Sequence, residues 1–83
     1  MFLERVAPTC ARQMREVDHL LQAGGLTREA ADLFVIGYER GTPVACGALA
    51  GNVIKMLAVE HNRQSSGRMT EIVSALVSIA AER

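Results

Sequence analysis

Residues 63–76, RQSSGRMTEIVSAL, run a polar loop straight into a helical period. Their types suit anion recognition. Gln64, Ser65, Ser66, Gly67, Arg68 and Met69 offer six consecutive backbone N–H groups where the helix begins. A helix start leaves such groups without intrahelical partners and carries the positive end of the dipole, so a phosphate is stabilised there. Gly67 lets the backbone approach a ligand, and Ser65 and Ser66 add hydroxyl donors. Arg63 and Arg68 supply charge that pairs with phosphate. The same residues also fit an ordinary polar loop capping a helix, because a short glycine loop is a weak signal by itself.

Other reactive types are scattered. His61 could titrate near neutral pH, or simply sit exposed in the loop. Lys55 lies in the apolar run VIKMLAV and could meet an acidic ligand group or snorkel to solvent. Tyr38 is expected half-buried with a wet hydroxyl. Met14, Met56 and Met69 are expected to fill the core. Cys10 and Cys46 form no CxxC pair and are too few for a disulfide scaffold. They are expected as small buried hydrophobes whose reduced thiols suit a cytoplasm. No metal-ligand constellation and no Ser-His-Asp set is present.

The chain has 83 residues, enough for one small domain or a piece of one. Its 49% hydrophobic content argues against disorder. Nine basic residues balance nine acidic ones, so there is no electrostatic case for nucleic acid or a membrane surface. Zero net charge also gives little colloidal repulsion against self-association. The start, MFLERVAPTC, lacks the apolar core of a signal peptide. No apolar run approaches the roughly 20 residues of a membrane span.

The elements that must position the loop follow from periodicity. Phe2 to Val6 reads as a strand stopped by Pro8, with Thr9 as N-cap of the next element. Cys10, Met14, Val17 and Leu21 recur at spacings of four, three and four, one stripe of a helix that ends at Gly24-Gly25. Thr27 could cap a short second helical turn over TREAAD. LFVIGYE, residues 33–39, is a strand by its β-branched and aromatic content. A turn over residues 40–43, a strand over 44–50, a tight turn at Gly51-Asn52 and a strand over 53–59 complete an antiparallel meander. Gly37 and Gly47 mark bulges or a close packing neighbour. From Gly67 a helix follows, with Ile72, Leu76 and Ile79 in one row and Met69, Val73 and Ala80 alongside.

The larger pattern VIKMLAVEHNRQSSGRMTEIVSALVSIAAER resembles motif A of the GNAT acyltransferase superfamily. That motif is a strand ending apolar-Ala-Val, a short loop, then Gln/Arg-x-x-Gly-x-Gly/Ala opening a helix. Leu57, Ala58 and Val59 match the strand end, Gln64 the Gln/Arg position and Gly67 the first glycine. ERGTPVACGALA is similar to the GNAT strand-turn-strand upstream, so the resemblance covers nearly the whole chain. ACGALAGNVIKMLAV and LVSIAAER further resemble the N-terminal GNAT-like domain of citrate lyase ligases. At the places of their signature, Ala-Cys-Gly-Gly-Ile-Ala-Gly-Asn followed by Ile-Lys, this chain has Ala45-Cys46-Gly47-Ala48-Leu49-Ala50-Gly51-Asn52 and Ile54-Lys55.

The resemblance implies an α+β fold over residues 1–83: a truncated GNAT domain in the order β-α-α-β-β-β-α, with a mostly antiparallel sheet and packed helices. It implies acetyl-CoA or another acyl-CoA as cofactor. The backbone of Leu57, Ala58 and Val59 would pair with the pantetheine amides, and residues 64–69 would hold the pyrophosphate. Glu60 is then the nearest carboxylate to serve as general base, with a solvated loop carboxylate as the plainer reading; the amine acceptor, small molecule or protein, is unspecified. Citrate lyase ligases attach acetate to a prosthetic-group thiol with ATP, through a C-terminal domain carrying HxGH. Here His19 and His61 stand alone.

Two departures temper the likeness. Met69 stands where the motif has a small residue, and the second half of the fold has no counterpart. Its absence would leave the strand over 53–59 with an open edge, a template for a homodimer or domain swap. Three readings therefore stay open: an acyl-CoA-binding acyltransferase-like domain, a binding or assembly module without chemistry, and a fragment of a longer ligase.

Overall fold

The computed structural model describes residues 1–60 and 67–82. Six elements follow in order: β1 (Phe2–Val6), α1 (Ala11–Ala23), β2 (Leu33–Glu39), β3 (Thr42–Ala50), β4 (Val53–Val59) and α2 (Arg68–Ala81). The four strands form one sheet in chain order, each antiparallel to its neighbour. The β2–β3 turn is tighter than the expected 40–43. It consists of Arg40 and Gly41 alone, at φ 54° and 80°, the mirror-image geometry that matches strand twist. β3 consequently begins at Thr42, and Pro43 pairs with Tyr38.

The helices lie on opposite faces of the sheet. On one face Phe34, Ile36, Cys46 and Ala48 pack against Met14, Val17, Leu20 and Leu21 of α1. On the other, Val35, Ala45 and Leu49 pack against Ile72, Leu76 and Ile79 of α2. Successive strand residues point to opposite faces. Burial on both sides therefore explains why β2 and β3 carry continuous apolar runs.

The helix expected over TREAAD does not form. Residues 26–31 have no regular structure. A helix this short cannot offset its own nucleation, and the segment finds better partners in an open conformation. Glu29 accepts an ion pair from Lys55 at 2.8 Å, and its N–H donates to the Met56 sulfur at 3.1 Å. Arg28 pairs with Asp18 at 3.0 Å. Asp32 donates its N–H to the Leu49 carbonyl and accepts the Gly51 N–H, which docks the segment on the sheet end.

The cap of α1 also differs from expectation. Cys10, not Thr9, is the N-cap, and no side chain caps the helix. The C-terminus behaves as the paired glycines imply. Gly25 takes φ 78°, and Leu26 and Gly25 return N–H bonds to the Leu21 and Gln22 carbonyls.

Gly47 has a specific task. Cys46 faces Ala58 and Ala48 faces Lys55, so Gly47 alone stands opposite both Met56 and Leu57. This bulge puts Met56 at φ 57° and re-aims the end of β4. A Cβ at Gly47 would lie 2.8 Å from carbons of Ile72, Leu57 and Leu76. The missing side chain is what lets α2 sit close on β3 and β4. Gly37 is a second irregularity: the β2–β3 register shifts beside it, and Met1 covers the space its Cβ would fill.

Candidate functional site

Among the described residues β4 is a margin of the sheet and pairs only with β3. At its end the Glu60 N–H donates to the Val44 carbonyl at 2.7 Å. Peptide groups alternate sides along a strand. Ala58 and Glu60 therefore turn theirs toward β3, while Leu57 and Val59 turn theirs toward the open edge. Of the three strand residues expected to pair with a ligand's amides, Leu57 and Val59 have backbone groups aimed outward.

A cleft of about 230 Å³ lies at this edge. Leu20, Ala23, Gly24 and Leu26 form one wall, at the C-terminal end of α1. Residues 57–59 form the floor, and Met69 of α2 closes the other side. Leu57, Ala58, Val59 and Met69 are thus brought together. Met69 is not a core filler, as Met14 and Met56 are: it is 36% exposed at the cleft mouth. The wall from α1 was not legible in the sequence. Leu20 reads only as part of a core stripe, and Leu26 lies between two glycines and a segment that looks helical.

Gly67 is the N-cap of α2, at φ 78°, and its carbonyl accepts the Glu71 N–H at 3.2 Å. Gln64, Ser65 and Ser66 lie outside the described residues, as do Arg63 and His61. Arg68 is not among the described cleft-lining residues. Its Nε and Nη2 each donate to a Glu39 carboxylate oxygen at 2.7 Å. This two-pronged, charge-assisted pair raises the guanidinium pKa above its ordinary value, chiefly through the Glu39 hydrogen bonds. It fastens the first turn of α2 to the end of β2, so in this structure the charge is engaged within the protein. Glu60 is not among the described cleft-lining residues.

Neither cysteine is among the described cleft-lining residues. Cys46 is fully buried and its thiol is pushed up to about 12 by desolvation; Cys10 is half-buried. Among the described residues no three of His, Cys, Asp and Glu converge as metal ligands, and no helix is long and apolar enough to cross a membrane.

On the α1 face, Tyr38 sits in a polar cluster that the sequence does not announce. Its hydroxyl donates to Glu16 Oε1 at 2.5 Å and accepts from Gln13 Nε2 at 3.2 Å; Gln13 also donates to Glu4. Burial, then the bond to Glu16, push the phenol up to about 12. The protonated form is favoured by folding. This contribution is complete below pH 10 and is lost as pH rises from 10 through about 12. Tyr38 is the only tyrosine, so phenolate absorbance at 295 nm is expected to rise about two pH units later in folded than in urea-unfolded protein. Coincident curves would contradict the hydrogen-bonded hydroxyl.

Fold and cleft together define a small α+β domain whose sheet margin carries an apolar ligand-sized groove. No family model matches the chain. Over 84 residues, 99% of its length, it is 31% identical to the [citrate [pro-3S]-lyase] ligase of Klebsiella pneumoniae. It is 38% identical over 53 residues to the Haemophilus influenzae ligase of that name, and 26% identical over 80 residues to that of Escherichia coli K12. These matches span 25%, 16% and 23% of the respective relatives, so the chain corresponds to about a quarter of their length or less. The similarity relates the chain weakly to these ligases.

Proposed function

We propose that this chain is an acyl-coenzyme-A-binding domain of GNAT type, related to a portion of the citrate lyase ligases. The carrying observation is the cleft at the open edge of β4. Outward-facing amides of Leu57 and Val59 stand beside it, and the start of α2 at Gly67 and Met69 lies at its rim. In this reading the strand edge pairs with the pantetheine amides, as an added strand would. The N–H groups at the start of α2, with the preceding residues Gln64, Ser65 and Ser66, receive the pyrophosphate. Arg68 contributes by holding α2 in place through Glu39. The domain's contribution to any acyl transfer is positioning of the thioester. The described residues lining the cleft include no general base, so a transfer step would draw its base from elsewhere, with Glu60 the nearest carboxylate by sequence.

The test is an amide ¹H–¹⁵N titration with coenzyme A. Shifts are expected at Leu57, Val59, Gly67 and Met69, with the β1 edge unmoved. A dispersed spectrum that stays still at millimolar ligand would refute the cofactor reading. A second reading, a non-catalytic assembly module, is favoured by β4 itself. Its edge is open, and Val53 is 61% exposed upon it. A tumbling time of dimer size in the same spectra, relieved by Val53→Lys, would support a homodimer or swap through this strand.

A further inference from the structure

A second hollow, of about 400 Å³, opens beside the start of α1. Gln13, Glu4 and Tyr38 form its more buried lining, and Phe2, Arg12 and Arg40 its exposed lining. The volume lies in the range of small-molecule sites, about 300–1,000 Å³. Gln13 and Leu20 are seven residues apart on α1, about 10 Å along the helix axis. The hollow is thus separate from the β4 cleft, and a ligand here is independent of the coenzyme reading.

Acceptors stand open in it. Gln13 is only 7% exposed, and its Nε2 donates to both Glu4 and Tyr38. The Glu4 carboxylate can only accept, which fixes the orientation of the amide. Gln13 Oε1 accepts none of the described hydrogen bonds. Among the described residues no buried side-chain oxygen or nitrogen lacks a partner. This oxygen therefore reaches solvent, on a residue that lines the hollow.

The cations are open as well. Arg12 stands four residues before Glu16, the spacing of a helical ion pair, and shares the hollow with Glu4. Yet Glu16 takes the Tyr38 hydroxyl, and Glu4 takes the Gln13 amide. Among the described residues neither Arg12 nor Arg40 has an ion pair. Phe2 is 66% exposed, so an aromatic ring stands largely in water at the same opening.

We infer that this hollow binds a free aromatic α-amino acid. Its ammonium bonds Glu4 and Gln13 Oε1, its carboxylate pairs with Arg12 and Arg40, and its ring covers Phe2. A ligand of one sign would be opposed there, an isolated carboxylate by Glu4 and an isolated amine by the two guanidiniums. A zwitterion satisfies both sets at once. Guanidinium forks suit the planar carboxylate.

The test is an amide ¹H–¹⁵N titration of the intact chain with L-phenylalanine. The comparison ligands are 2-phenylethylamine, 3-phenylpropionate and L-alanine, which lack the carboxylate, the ammonium and the ring. Shifts are expected at the Gln13 side-chain amide and at Phe2, Arg12, Arg40 and Gly41, with Leu57 and Val59 unmoved. Each comparison ligand is expected to bind at least about tenfold more weakly, the cost of one unmade charged hydrogen bond or one uncovered ring. Arg40→Asn keeps the turn, because Asn-Gly favours this geometry. It is expected to weaken L-phenylalanine at least about tenfold. A spectrum unmoved at millimolar L-phenylalanine would overturn the inference. Equal affinity for any of the three comparison ligands, or unchanged affinity in Arg40→Asn, would overturn it too.

Discussion

Phe34→Ala is expected to destabilise the domain by about 3–5 kcal/mol. Phe34 is 1% exposed and leads the fully buried side chains by size. It belongs to the α1-facing cluster. Its cross-strand partners are Val6 on β1 and Ala48 on β3. Neither is long enough to reach into the space a lost ring would leave, and Ala48 carries only a methyl. The cavity would therefore persist instead of collapsing, which places the cost high in its range. A domain of this size has about 4–12 kcal/mol of total stability, so the variant stands near the limit of folding. Urea unfolding followed by circular dichroism checks this. A midpoint shift worth under about 1 kcal/mol would mean that the two faces of the sheet repack freely.

Gly47→Val is expected to be of comparable size, at about 3 kcal/mol or more, for the opposite reason. Overfilling a packed core costs typically 1–3 kcal/mol, and here the obstruction is threefold. The first added carbon would meet Ile72, Leu57 and Leu76 side chains, each at 2.8 Å. Ile72 and Leu76 are fully buried, so α2 must lift from the sheet or β3 must bend. Either motion separates Met69 from Leu57, so the variant is expected to lose the β4 cleft as well as stability. A coupling test isolates the cause. Gly47→Ala combined with Leu76→Ala should cost less than the sum of the two single changes, because one vacates space for the other. Strict additivity would show that Gly47 is present for strand geometry and not for helix approach.

Strand and helix positions were largely legible before folding was considered. The bounds of β1, β2 and β4 agree with the reading from β-branched runs and turn residues, and the buried row Ile72, Leu76 and Ile79 follows from the helical period. Gly37 and Gly47 announced register irregularities, because a side chain was missing where a strand would use one. The errors fall where local propensity competed with distant partners. TREAAD has helical composition, yet Glu29 and Asp32 are claimed by Lys55, Met56, Leu49 and Gly51. Half of the cleft was therefore hidden, since Leu26 reaches it only because that segment runs unwound from the end of α1.

The sequence by itself determined the four strands, the two long helices and their apolar rows, and the apolar character of β4. Each of these depends on side-chain spacing within a few residues, and spacing is written in the chain. Only the tertiary structure decided that Arg68 answers to Glu39, that Met56 adopts a left-handed conformation opposite Gly47, and that Leu20, Leu26, Leu57 and Met69 share one cleft. These depend on which surfaces meet when two helices close on opposite faces of a sheet. Arg68 and Glu39, 29 positions apart, and Leu20 and Leu57, 37 apart, become neighbours then, and no local pattern records that meeting.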